Sequence, residues 1–401
     1  MTAPDATTTS QKTRLPLVIY VLAVGTFLMG TTEFVVAGLL PEMASDFNTT
    51  VAHAGLSITI FAVGMIVGAP AMALATLRLP RRITLSASLA VFALGHVAVA
   101  LTTGFELMLA ARFVTAVATG AFWAVGSAAA ARAAGPEASS RALGLVLGGG
   151  MLANVLGVPL GSISGQLIGW RGTFWALAVL AALAAVGVAR LVPYNPPPEK
   201  RPTVLGELRV LRNGRLWLVL ITCAVINAGV LSVYSYIAPL ITDSAGLSGS
   251  VIPYALMAFG VGALVGNIVG GRLGDTHPYA TSFVTAGVTV IACAGIWAFS
   301  SQPALLLALF ALLGLVGLSA NPIMVSLAVR FGGESDALAA AMPASIFNLG
   351  TAIGTGLTSS LLLGTLGASA PAVVGVVFGV LIFVPLGILA FVERRTAPVA
   401  V

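Results

Sequence analysis

"GTTEFVVAGLLPE", residues 30–42, sets a single acid inside an apolar run. The run extends over 15–40, and roughly 20 apolar residues suffice to cross a bilayer as a helix. A carboxylate at such a place is costly, and ionisable groups inside membranes are functional candidates by default. Helix rise of about 1.5 Å per residue puts Glu33, set back from Pro41, roughly 12 Å below the end of the run. What this acid does depends on what surrounds it.

Composition extends the same reading to the whole chain. It has 401 residues, 58% hydrophobic and 8% charged, with a mean hydropathy of +1.04. Soluble domains carry about 25% charged residues, so lipid is the solvent here. The apolar runs are long and continuous, without the two-residue alternation of a membrane β-barrel, so they are helices. Twelve runs are legible, at 15–40, 52–77, 83–101, 105–131, 142–167, 173–192, 216–240, 251–272, 280–300, 304–329, 338–363 and 371–392. The first is too long for a signal-peptide core. The expected fold is an all-α membrane protein: twelve transmembrane helices in two six-helix bundles, 15–192 and 216–392. A polar, disordered cytoplasmic tail (1–14), a Pro-rich and then basic cytoplasmic linker (193–215) and a second cytoplasmic tail (393–401) complete it.

Charge gives the orientation. With the N-terminus inside, every Lys and Arg except Arg112 and Arg171 falls in a cytoplasmic segment. Outer loops hold Glu42, Asp46, Glu106 and Asp243. This is the positive-inside pattern, with both termini cytoplasmic. The net charge of +6 is thus a topology signal rather than a nucleic-acid surface. The excess of arginine over lysine points to a GC-rich bacterial genome, and hence to a bacterial inner membrane. Cys223 and Cys293 lie in apolar runs, so no structural disulfide is expected. The chain shows no phosphate-binding loop, metal-ligand cluster or nucleophile–base group. Enzymatic chemistry is not expected, nor is a cofactor, and ATP is not the expected energy source. Six plus six spans around one linker fit the parallel halves of a secondary transporter.

Longer motifs add a resemblance. "MGTTEFVVAGLLPEMASDF" (29–47), "GLSITIFAVGMIVGAP" (55–70) and "GVPLGSISGQLIGWRGTFW" (157–175) resemble the major facilitator superfamily, in its twelve-span drug/proton antiporter branch. The likeness covers nearly the whole chain and runs closest to bacterial chloramphenicol-resistance exporters. Sugar and nucleoside exporters share the opening wording. In "ALATLRLPRR" (73–82) the superfamily's loop signature keeps Arg78, Arg81 and Arg82, but Leu77 replaces its acid, and Ala73 and Pro80 its glycines. The second half's copy, "GGRLGDTHP" (270–278), keeps Gly271 and Asp275. The resemblance implies gating by these loops, with Asp275 pairing or capping a neighbouring helix. In span five, Gly149, Ala153, Gly157, Gly161 and Gly165 recur every fourth residue and share one face. This resembles the antiporter signature there, with Gly157-Val158-Pro159 replacing its Gly-Pro pair. Pro159 should kink the helix. The stripe reads equally as a pliable interface between the halves and as ordinary helix packing.

Arg112, in "LAARFVTAVATG" (109–120), matches the arginine of the span-four signature, with Thr115-Ala116 for its Gln-Gly. The family fold sets spans one and four side by side on a central cavity. Arg112 lies roughly 10 Å from its end of the span, level with Glu33. The two are therefore expected to pair and carry proton coupling. Burial raises a carboxylate's pKa and a nearby arginine lowers it, so movement shifts the balance. Candidate substrate contacts are Asn154, Asn227, Asn321 and Asn348, with Tyr234 two turns from Asn227 and Trp123 about three turns from Arg112. Met29, Phe61, Phe122, Met324 and Phe347 are candidates for an apolar wall. Each of these also fits plain helix packing, and His53 and His96 read as interface and packing residues. The expected function is proton-coupled efflux of small amphipathic compounds such as chloramphenicol, by a monomer in a lipid bilayer. A sugar or nucleoside exporter is the alternative, and a non-transporting receptor a weaker one.

Overall fold

Lipid offers no partner to a bare peptide group, so each segment satisfies its own backbone as a helix. The computed structural model describes residues 15–76, 79–135, 138–193, 212–332, 336–364 and 366–396. The expected features at 1–14, most of the linker, Arg78 and the last residues lie outside these. Twelve long helical segments result. In the first half they are α1 (Leu17–Phe34), α2 (Leu56–Ala75), α3 (Arg81–Leu101), α4 (Phe105–Ala134), α5 (Ser139–Leu152, then Val158–Ile168) and α6 (Trp170–Leu191). The second half has α7 (Gly214–Ser235), α8 (Ile252–Thr276), α9 (Pro278–Phe299), α10 (Pro303–Gly317, then Asn321–Gly332), α11 (Asp336–Leu362) and α12 (Ala370–Leu381, then Phe383–Thr396). Eleven segments among the described residues are long and apolar enough to cross a membrane, and α11, with 27 residues, packs among them as the twelfth.

Local chemistry sets several ends. Pro278 and Pro303 open α9 and α10, where the missing N–H would be unpaired anyway. Gly169, at φ 78°, makes the sharp turn between α5 and α6. Two departures from the expected form bear on the site. α1 stops at Phe34 and passes through a 3-10 turn, Val35–Gly38, before a short helix, Leu40–Asp46. A 3-10 turn rises about 2.0 Å per residue, so the straight-helix depth for Glu33 does not hold. In α5 the irregularity is a π turn at Ala153–Gly157, which precedes Pro159. Proline has no N–H to give the carbonyl four residues back, and that missing bond falls inside the π turn.

The hydrophobic cores divide the molecule. One cluster joins both halves at the end that carries Asp46: it runs from Val35, Leu39 and Trp170 to Tyr234, Ile237, Leu256 and Phe310. We call this the tight end. Toward Arg81 the cores are separate. One lies wholly within 15–192 and includes Ile19, Phe92, Phe122 and Val188, and the other lies within 216–389 and includes Leu220, Met324 and Leu386. We call this the split end.

Candidate functional site

Glu33 occupies the last turn of α1, at the level where the shared core begins. With Phe34 and Ala37 it lines a small cavity between the halves. Ile58, Phe61 and Ala62 of α2 complete the first half's share, and Leu231, Tyr234, Ser235, Asn348 and Thr351 of α7 and α11 supply the other wall. The cavity measures ≈ 10 Å³, room for one water at most. Phe34 meets Tyr234 edge-on across the boundary, centroids 5.9 Å apart. Glu33 is half-buried, and the Asn348 side chain and the Arg112 charge both act on it.

Arg112 is fully buried in α4. Its Nη1 donates to Thr32 O at 3.1 Å and to Thr32 Oγ1 at 2.9 Å, on the residue before Glu33. Its guanidinium carbon lies 4.2 Å from the centre of the Phe61 ring. Nε and Nη2 have no partner among the described residues. The expected Glu33–Arg112 ion pair is therefore not formed in this state. Ion pairs among the described residues are Arg171–Asp46 and Arg330–Glu393, each within one half. Arg112 is instead held on the backbone and hydroxyl of Thr32, one residue short of the acid.

Of the expected substrate contacts, Phe61, Tyr234 and Asn348 stand on the cavity with Glu33. Trp123 packs behind Phe61 with Met65 and Ala116. Met29 and Phe122 sit inside the first half's core, where Thr119 donates to Met29 Sδ and Phe122 covers Gly25. Met324 lies in the second half's core and Phe347 packs against it. Asn227 donates to Cys223 O at 2.9 Å and faces Asn321 Oδ1 at 3.4 Å, a tie within the second half. Asn154 meets the other half through its backbone: a Cβ on Gly260 would come within 2.2 Å of its carbonyl oxygen. Not foreseen were Phe34, Ile58, Leu231, Ser235 and Thr351, whose residue types carry no signal against an apolar helix. Thr32 was also missed as the partner of Arg112, and His96 as the partner of Thr32.

The gating expectations change too. The stripe of span five faces α1 and the turn that follows it, within its own half: Cβ atoms on Gly149, Gly157, Gly161 and Gly165 would strike Ala23, Thr31, Val35 and Leu39. Spacing of four reports close approach but not the partner, and the partner is not the other half. Asp275 is exposed and forms no ion pair among the described residues, and it caps nothing at α9, whose N-cap is His277. Arg81 stands within electrostatic reach of Arg132, and Arg82 is half-buried in the first turn of α3.

Among the described residues no group of His, Cys, Asp and Glu has metal-site geometry, and Cys223 and Cys293 are buried free thiols. A cavity between two repeated bundles, bounded by an acid and near a buried arginine, is what a transporter offers. Comparisons with known proteins agree. The chain is 34% identical over 360 residues to the chloramphenicol resistance protein of Streptomyces lividans, covering 89% of this chain and 92% of that one. It is 32% identical over 350 residues to the putative transporter AraJ of Escherichia coli strain K12, covering 84% and 86%. It is 29% identical over 379 residues to that strain's inner membrane transport protein YdhP, covering 94% and 96%. A solved bacterial homolog of the human lysosomal transporter Spinster superposes with a TM-score of 0.69 at 15% identity, over 93% and 95% of the two chains. The family described as the Major Facilitator Superfamily matches residues 22–241 and again 220–401, and the chain belongs to it, a multi-pass membrane transporter rather than an enzyme.

Proposed function

We propose that this transporter exports small amphipathic compounds, chloramphenicol among them, in exchange for protons. One observation carries the reading: an acid on the boundary between the halves, beside a buried arginine with two nitrogens that have no partner among the described residues. Such donors are costly to leave bare in a dry interior, which favours a conformation that brings them an acceptor. Glu33 is the acid whose charge acts on Arg112. In one conformation it faces Asn348 and the cavity; in another it pairs with Arg112 and sheds its proton. Cargo and proton then compete for the same arginine and acid. The energy comes from the proton gradient, and no cofactor is called for.

The cavity in this state is far smaller than the 300–1,000 Å³ of a drug-sized site. Cargo therefore enters only when the halves rearrange, as alternating access requires. The identity with the chloramphenicol resistance protein supports chloramphenicol as first substrate. The charge pattern supports both termini facing the cytoplasm of a bacterial inner membrane, with the split end inward. Each chain holds a complete cavity, which supports a working monomer. Ser235, Thr351 and Asn348 on the cavity wall support a second reading, export of a sugar or nucleoside.

The test is a drug-susceptibility panel in an efflux-deficient host, with export from energised vesicles. The wild type should protect against chloramphenicol, and Glu33→Gln should lose proton-driven export at normal expression. Unchanged export in Glu33→Gln removes the acid from the mechanism. Sugar export without any drug protection moves the reading to the alternative.

A further inference from the structure

His96 is wholly buried in α3, stacked on Phe92 with ring centroids 4.0 Å apart. Its Nδ1 lies 2.7 Å from Phe92 O. A carbonyl only accepts, so Nδ1 carries the hydrogen and donates it. Its Nε2 lies 2.7 Å from Thr32 Oγ1, the oxygen that already accepts from Arg112 Nη1. From the elements packed around it, His96 meets the Thr32 hydroxyl of α1, the Arg112 charge from α4 and the Phe174 ring of α6, 5.6 Å away. A second hydrogen on Nε2 would make His96 a cation and set two cations on one hydroxyl, away from water. Nε2 is therefore bare and accepts. The hydrogens run one way: Arg112 Nη1–H to Thr32 Oγ1, Thr32 Oγ1–H to His96 Nε2, His96 Nδ1–H to Phe92 O.

We propose that Thr32 and His96 are positioning residues for Arg112, an ordered chain across three helices that fixes where its guanidinium points. The chain uses one of the guanidinium's nitrogens and leaves Nε and Nη2 open for the moving partner. A threonine hydroxyl alone can turn its hydrogen toward or away from the arginine; a bare imidazole nitrogen on its far side removes that choice. The role rests on reading Arg112 and Glu33 as the coupling pair, while the hydrogen order itself does not.

Histidine ¹⁵N NMR on the full chain in lipid nanodiscs tests the order directly. The chain has 3 histidines, and His53→Gln and His277→Gln assign the other two. His96 should show the Nδ1–H tautomer in the wild type. Thr32→Val should move its Nε2 resonance, and Thr32→Ser should return it. In proteoliposomes under an imposed pH gradient, Thr32→Val should slow chloramphenicol export about tenfold, the worth of one hydrogen bond to a charged group. Thr32→Ser should recover most of that rate. An Nε2–H tautomer, or an Nε2 resonance indifferent to Thr32→Val, overturns the chain of hydrogens whether or not chloramphenicol moves. Normal export in Thr32→Val overturns the positioning role. A wild type that shows the expected tautomer but exports no chloramphenicol sinks the efflux reading and leaves the hydrogen order standing.

Discussion

The tight and split ends of this molecule are built from the same residue types in different arrangements. At the tight end, one apolar core runs through both halves, and hydrogen bonds cross between them: Thr59 with Thr355 at 2.9 Å, Ser359 to Ala52 O at 2.8 Å and Gln166 to Gly249 O at 2.9 Å. At the split end each half keeps its core to itself, and the polar ties seen among the described residues stay inside one half, as in Asn213 to Phe331 O at 2.7 Å and Arg330 with Glu393 at 2.6 Å. The crossing hydrogen bonds are neutral, each worth about 1 kcal/mol net. A transporter must break such a seal on every cycle, and weak neutral ties over an apolar seam are reversible in a way that buried ion pairs are not. The tight end's one ion pair among the described residues, Asp46–Arg171, lies within the first half, where Trp170 Nε1 and Thr102 O join it. The difference teaches that the seam is held by shape, and only lightly by polar ties.

Shape is where the largest effect should lie. Gly260 of α8 lets the peptide of Asn154 and Val155 come so close that any Cβ must displace backbone. The π turn of α5 is what offers that peptide to the other half. Gly260→Ala should push the seam apart and shift the equilibrium away from the tight state. Overpacking typically costs about 1–3 kcal/mol, and 1.4 kcal/mol is already tenfold in population. A cysteine pair at positions 166 and 249 reports this: it should cross-link readily in the parent and about tenfold more slowly with Gly260→Ala. Equal rates would mean that α5 and α8 do not set the seam. Ser359→Ala is a smaller probe of the same contrast. It frees Ala52 O and should lower the tight population roughly fivefold, the worth of one neutral bond. No change in cross-linking would show that water replaces the hydroxyl.

Much of this architecture is legible in the chain, and the reasons for the failures are specific. Twelve spans follow from run length, because lipid demands it, and Glu33 and Arg112 stand out because charge is rare in such runs. Met29, Phe122 and Met324 pack inside the halves in this structure, which pattern could not show: α1 and α4 are apolar on most sides, so the side that meets the cavity is not marked. The stripe from Gly149 to Gly165 showed close approach and hid its partner, α1. Gly260, one glycine among the 46 of the chain, gave no sign that it packs on the peptide of Asn154. Thr32 and His96 are 64 residues apart in sequence, and no local pattern links them. Sequence marks what is expensive; it does not mark what is merely adjacent.

The smallest effect separates the tight end's surface from its seam. Glu42 follows Pro41 in the short helix after α1, with Oε2 buried and without a partner among the described residues. Burial raises its pKa above the ordinary carboxylate value, partly offset by a hydrogen bond from its own backbone. The folded state therefore holds this proton more firmly than the unfolded chain does. Stability from this residue is full below the unfolded pKa and declines as pH rises through the folded one. Glu42→Gln removes the titration and should flatten that part of the thermal stability profile, with a slight gain in Tm at neutral pH and none in acid. Because Glu42 lies off the crossing hydrogen bonds, the 166–249 cross-linking rate should not move with it. A variant that alters cross-linking as Gly260→Ala does would make this acid part of the seam, and a melting profile that keeps its slope would show that Glu42 is already ionised in the folded protein.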